Sequence, residues 1–158
     1  MRRRDREVTD LGEIIRIAQS AKILHLGLTD GRRPYVVPLN YGFEFSDGAL
    51  VFYMHGASEG KKLELIRAGG EVCAELECEV ALIPGGELAC GYGSAYASII
   101  GWGTAEVCVE ESEKIKGLKL LMKTQTGRDF DINTRMAASV TVLKLILREF
   151  TAKARPKP

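Results

Sequence analysis

Leu24, Leu26 and Leu28 alternate with His25 and Gly27, the two-residue period of a strand with one face toward a core. Asp30-Gly31 follows as a hairpin turn. The next stretch, PYVVPLNYGFEF, is again rich in β-formers, but Pro38 has no N–H for a central ladder, so this strand lies at an edge or is bulged there. Ser46-Asp47-Gly48 turns the chain into ALVFYMH. Farther on, EVCAELECEVAL reads as a strand that PGGE breaks, and the Gly- and Tyr-rich CGYGSAYASIIGWG precedes a strand at about 104–109. A closing β run covers about 138–150. Helical spacing appears in three places. Asp10 and Glu13 form a capping-box pattern for a helix over 11–19, with Leu11, Ile14, Ile15 and Ala18 on one face. After Ala57, Ser58 is placed as an N-cap with Leu63 and Ile66 inward. Ser112 is placed as the cap of a third helix whose stripe is Ile115, Leu118, Leu121 and Met122, and Gly127 ends it.

These are six β segments at hairpin spacing with three short helices, and no βαβ unit carries phosphate-loop glycines. The expectation is one α+β domain over 1–158 built on an antiparallel barrel. Six strands around one small core leave edges uncovered, which makes a dimer contact physically attractive.

Composition narrows the function classes. With 22 Lys and Arg against 21 Asp and Glu the net charge is +1, so no global field draws in nucleic acid or a membrane. Arg2, Arg3, Arg4 and Lys153, Arg155, Lys157 make basic ends at about 1–8 and 152–158, read as solvated tails. MRRRDREVTD does not look like a signal peptide, and the longest apolar run, SVTVLKLIL, is broken by Lys144 and too short for a bilayer; a cytoplasmic setting is expected. Cys73, Cys78, Cys90 and Cys108 include no C-x-x-C pair, and with His25 and His55 the only histidines no metal site is expected. The cysteines read as reduced and mostly packing, and His25 as packing. Rossmann, P-loop, zincin and nucleophile-elbow motifs are absent.

The segment richest in chemistry is FYMHGASEGKK, 52–62. An apolar strand delivers His55, Gly56 and Ala57 to a helix start, where free N–H groups and the lysines Lys61 and Lys62 suit a phosphate. A solvated helix face explains the lysines equally well. His55 is either a proton donor, acceptor or carbonyl partner, or a histidine satisfied at a strand end. Trp102 and Tyr96 either stack on a flat ligand or pack. Glu110 and Glu111 begin a helix, where they favour its dipole.

RRRDREVTD, LGLTDGRRPYVVPLNYGFE, LVFYMHGASEGKKLELIR and YASIIGWGTAEV, in that order, resemble the 5-nitroimidazole-resistance (Nim) family within the pyridoxamine 5'-phosphate oxidase-like split barrels. VTVLKLILREFTAKA resembles the closing strand. The resemblance implies a six-stranded antiparallel split β-barrel with short flanking helices, and FMN bound at a homodimer interface. It places the FMN phosphate near Lys61 and Lys62 and the isoalloxazine along Val37, Pro38, Leu39 and Asn40. Met54 and His55 would line the same site, with His55 close to the reactive flavin face, and Ser98 and Trp102 would approach from the neighbouring strand. CGYGSAYAS departs from the pattern, with Ala95 and Ala97 where relatives often carry larger or basic residues, so the pocket differs in shape. Ending in AKARPKP, the chain lacks the arginine-rich close of pyridoxamine-phosphate oxidases proper. The function implied is an FMN-dependent reductase that takes electrons from a reduced donor to a small nitro- or quinone-like acceptor. A flavin-binding electron carrier, a deazaflavin-dependent relative and a cofactor-free barrel stand as alternatives.

Overall fold

The computed structural model describes residues 3–157; Arg2, one of the expected basic tail residues, lies outside them. The hydrophobic alternation becomes a mostly antiparallel sheet with few helices. The strands are β1 (Glu7–Val8), β2 (Ile23–Thr29), β3 (Pro34–Asn40), β4 (Gly42–Ser46), β5 (Ala49–Gly56), β6 (Glu71–Ile83), β7 (Gly93–Val107) and β8 (Thr141–Arg155). The helices are α1 (Leu11–Ser20), α2 (Lys61–Ala68), α3 (Glu111–Thr126) and α4 (Thr134–Ala138). Strand order is β3-β2-β6-β7-β8-β5-β4, with β1 paired to β8. β3 lies beside β5 without pairing to it, so the barrel is split along that seam.

Among the described residues there are eight strands where six were expected. One arises because PYVVPLNYGFEF is two strands at opposite ends of the sheet, broken at Tyr41. Tyr41 is fully buried and its hydroxyl reaches the carbonyl oxygens of Ala18 and Ala21 at 2.7 and 2.8 Å. Gly42 then passes so close to α3 that a Cβ there would lie 2.1 Å from the Leu121 nitrogen. Anchor and close approach together fix the corner. The other is β1, where Glu7 and Val8 pair with Lys153 and Ala152. Among the described residues of the basic ends, 4–6 form a 3-10 turn, and Lys153 and Arg155 lie within β8.

Other boundaries move as well. The Gly- and Tyr-rich stretch, from Gly93 on, is the larger part of β7. The closing strand starts at Thr141, because Asn133 caps the unexpected α4 by accepting from the Met136 N–H. Ser58 caps nothing; α2 begins after Gly60, which has φ 122. Ser112 lies inside α3, whose N-cap is Glu110. Asp10 does cap α1, accepting the Glu13 N–H at 2.8 Å, but Glu13 pairs with Arg16 instead of closing the box. Gly127 ends α3 in the left-handed region, and Pro38 lies on an edge strand, as its missing N–H requires.

The core has two parts. Leu24, Leu26, Phe52, Leu76, Ile99 and Leu145 fill the barrel together with the inner faces of α1 and α2. Val51, Tyr53, Cys108 and Val142 lie on the outer side of the sheet under α3. β5 is thus buried on both faces, which accounts for its unbroken apolar run. No helix among the described residues is long and apolar enough to cross a membrane.

Candidate functional site

The seam between β3 and β5 brings most of the expected site together. β3 and β5 diverge from the Tyr41 corner, where Gly42 pairs with Tyr53. They approach again where α2 meets the β2–β3 turn, with the Lys61 amine 3.8 Å from Asp30. Asp30 is itself tied to that turn, its Oδ1 accepting the Arg32 and Arg33 N–H groups at 2.9 Å, and these bonds hold its carboxyl below the usual range.

Lys62 behaves differently from its neighbour. Lys61 is exposed and lies within 3.8 Å of both Asp30 and Glu64. Lys62 is half-buried, and its amine sits against Gly56, 3.0 Å from where a Cβ would stand. No carboxylate lies within ion-pair distance of it among the described residues, and burial pulls its pKa down. Any larger residue at position 56 would meet that amine. The resulting half-desolvated cation beside a glycine suits an anion. The sequence singled out the lysines but not the seat that Gly56 provides.

His55 is exposed at the end of β5, and its side chain makes no hydrogen bond among the described residues, so the strand-end reading in which the imidazole is already satisfied is not what the structure shows. Val37 and Leu39 are half-buried against the barrel core, while Pro38 and Asn40 face outward. Asn40 is engaged, its amide donating to the Lys22 carbonyl and to Gln125 Oε1, both at 3.1 Å. Met54 has its side chain fully buried among core residues, because the strand alternation that turns His55 to one face sends Met54 to the other, so only its backbone faces the seam side.

Ser98 and Trp102 are not brought to this seam within one chain. Both lie on the outer face of β7, Ser98 between Glu77 and Lys153, Trp102 between Cys73 and Glu149. His55 shares a row with Val142, next to Cys108; six residues of strand separate Cys108 from Trp102, roughly 20 Å. His25, expected to pack, is instead half-exposed on this same outer face with Nδ1 3.2 Å from Glu75 Oε2. Its partner is 50 residues away in sequence, out of reach of a local reading. Of the cysteines, Cys108 is buried, Cys73 and Cys78 are half-buried, and Cys90 is exposed rather than packed; none is paired. Among the described residues no three His, Cys, Asp or Glu side chains gather as a metal site requires.

Comparison with known proteins agrees with this architecture. A search of curated protein sequences gives no match. Among solved structures, the chain is similar to a candidate 5-nitroimidazole antibiotic resistance protein of Bacteroides thetaiotaomicron, at 27% identity and a TM-score of 0.77, covering 93% of this chain and 85% of that one. The flavocytochrome Anf3 of Azotobacter vinelandii shares the fold at 19% identity and a TM-score of 0.77, covering 100% and 73%. An FAD-binding protein of Mesorhizobium loti shares it at 19% identity and 0.64, covering 95% and 97%. The family model described as pyridoxamine 5'-phosphate oxidase matches residues 10–154, and the chain belongs to that family.

Proposed function

We propose that this protein binds FMN in the β3–β5 seam and uses it to pass electrons from a reduced donor to a small nitro- or quinone-like acceptor. The observation that carries the reading is Lys62, a half-buried ammonium on a glycine seat with no carboxylate partner among the described residues. A phosphate there would supply the missing counter-charge. Lys61 and the α2 N-terminus add a weaker attraction from the rim. The likeness to the Bacteroides resistance protein supports the acceptor class.

Val37, Pro38 and Leu39 offer an edge-strand wall for the flavin ring, and His55 stands at the same end of β5 as Gly56. FMN, when bound, supplies the hydride and electron chemistry, and the protein supplies position and polarity. In this reading His55 holds a proton at the mouth of the site or orients the acceptor. The protein acts as a cytoplasmic homodimer, a second copy closing the seam that the split barrel leaves open and covering the β3 edge. Ser98 and Trp102 join the flavin only from that copy.

Titration of the full chain with FMN, FAD and riboflavin tests the reading. FMN binds tightest, and Lys62→Ala weakens FMN by roughly tenfold or more while barely changing riboflavin, in line with loss of one charge-assisted contact worth about 1.5–3 kcal/mol. Lys61→Ala has the smaller effect, because Asp30 and Glu64 already share its charge. Equal FMN affinity in wild type and Lys62→Ala overturns the placement, and light scattering of the FMN-loaded protein showing only monomer overturns the dimer.

A further inference from the structure

The strand order begins with β3 and ends with β4, yet the two are consecutive in the chain and joined by Tyr41 alone. On one side of that residue Asn40 pairs with Ile23 of β2, and on the other Gly42 pairs with Tyr53 of β5. No backbone ladder ties β3 to β5, so the gap between the two walls of the seam has no ladder spacing to fix it. At the corner it is fixed by side chains.

These come from the last turn of α3. Gln125 Nε2 donates to the Tyr41 carbonyl at 2.9 Å and to the Lys22 carbonyl at 3.2 Å, while Gln125 Oε1 accepts from the Asn40 amide at 3.1 Å. Asn40 also donates to the Lys22 carbonyl, at 3.1 Å. One amide thus joins the end of β3, the corner and the residue before β2, and it uses its oxygen and its NH₂ group to do so. On the other side of the corner, Thr124 Oγ1 accepts the Phe43 N–H of β4 at 3.2 Å. The body of α3 is seated on β5 through Gly117, which lies against the Tyr53 ring. Gln125 therefore holds β3 at a set distance from β5 by way of the helix.

Leu39, part of the wall proposed for the flavin ring, is next to Asn40, whereas Lys62 stands at the far end of the seam, where α2 meets the β2–β3 turn. We infer that Gln125 is a positioning residue that sets the width of the seam at its ring end, acting through Asn40 and the Tyr41 carbonyl on the isoalloxazine and not on the phosphate. This role rests on the flavin reading of the seam.

Wild type, Gln125→Leu, Asn40→Ala and the double variant are titrated as full-length proteins with riboflavin and with FMN, following flavin fluorescence and the visible absorption band. Gln125→Leu weakens both ligands by the same factor, roughly five- to tenfold, in keeping with the loss of one or two neutral hydrogen bonds, and it shifts the visible band of the bound flavin. Lys62→Ala, by contrast, weakens FMN alone. Asn40→Ala trims an exposed side chain and gives a smaller loss in the same direction. The double variant binds no more weakly than Gln125→Leu, because the two residues share one bond. Glu113→Gln loosens α3 at its other end, roughly 18 Å along the helix from Gln125, and leaves riboflavin affinity unchanged. Riboflavin affinity unaffected by either single variant at the corner, an additive loss in the double variant, or an equal loss in Glu113→Gln overturns the role. A wild type that binds neither ligand overturns the flavin reading itself, and this role with it.

Discussion

The outer surface of the sheet has two halves built on opposite terms. Over β4, β5 and β8 it is covered by α3, and each polar group enclosed there is answered. The fully buried Tyr53 hydroxyl donates to Glu113 at 2.6 Å and lies 3.2 Å from Glu44. Lys144 and Lys116 each reach one of those carboxylates at 2.6 Å. Two glycines make the contact possible: a Cβ at Gly42 would enter the α3 backbone, and one at Gly117 would come within 2.6 Å of the Tyr53 ring. Over β3, β2, β6 and β7 no helix is laid down, and Val36, Ile100 and Trp102 remain exposed beside the His25–Glu75 pair. Close packing fixes the first half to the fold, whereas the second leaves its apolar side chains uncovered within one chain.

The strongest way to break the covered half is Gly42→Ala. The added methyl meets Leu120 and Leu121 backbone rather than a movable side chain, so overpacking at the upper end of the usual range, about 3 kcal/mol, is expected in urea denaturation. Full stability in Gly42→Ala would mean that α3 does not sit where the structure puts it.

Tyr53→Phe should cost less, about 1–2 kcal/mol, because it removes a hydroxyl whose partners keep their lysines. Its midpoint in denaturant is the measure. A neutral result would show that the lysines alone hold the two carboxylates.

The smallest effect compares the halves through pH. The Lys144 amine and then the Tyr53 hydroxyl hold the Glu113 carboxyl below the usual carboxylate range. Its stabilisation is therefore complete above the ordinary value of 4.5 and is lost as pH falls through the lowered one. Glu75 is shifted the other way, raised chiefly by burial. Its ionisation costs stability above the raised value, and that cost vanishes as pH falls below the ordinary one. Glu113→Gln should thus destabilise at pH 7 and flatten the acid limb of a stability-against-pH curve. Glu75→Gln should stabilise by a few tenths of a kcal/mol at pH 7, being half-exposed, and lose that advantage in acid. Effects of the same sign in the two variants would remove the contrast between the halves.

How far the chain could be read depended on the range of each cause. Asp10 at α1 and Gly127 after α3 act within one turn of helix and were readable; so was Pro38, whose missing N–H confines it to an edge. The division of 34–46 into two strands was not, because its cause is a tyrosine hydroxyl reaching carbonyls 20 and 23 residues away. At the seam, His55, Lys61 and Lys62 stood out as a strand end and helix start. That Lys62 rather than Lys61 lacks a counter-charge appears only when Asp30 arrives from the β2–β3 turn.

The sequence by itself determined the local terms: where strands alternate, which residues stop helices, and that family-like segments follow one another in the order of a split barrel. Tertiary structure decided which side chains face each other, because that depends on strand order and register. Gly27, Val36, Cys73 and Trp102 span 76 positions from the first to the last in the chain, and no local pattern joins them. They form one outward-facing row only because β3, β2, β6 and β7 lie side by side with those four residues in register, and a shift of one residue in any pairing would turn one of them to the opposite face.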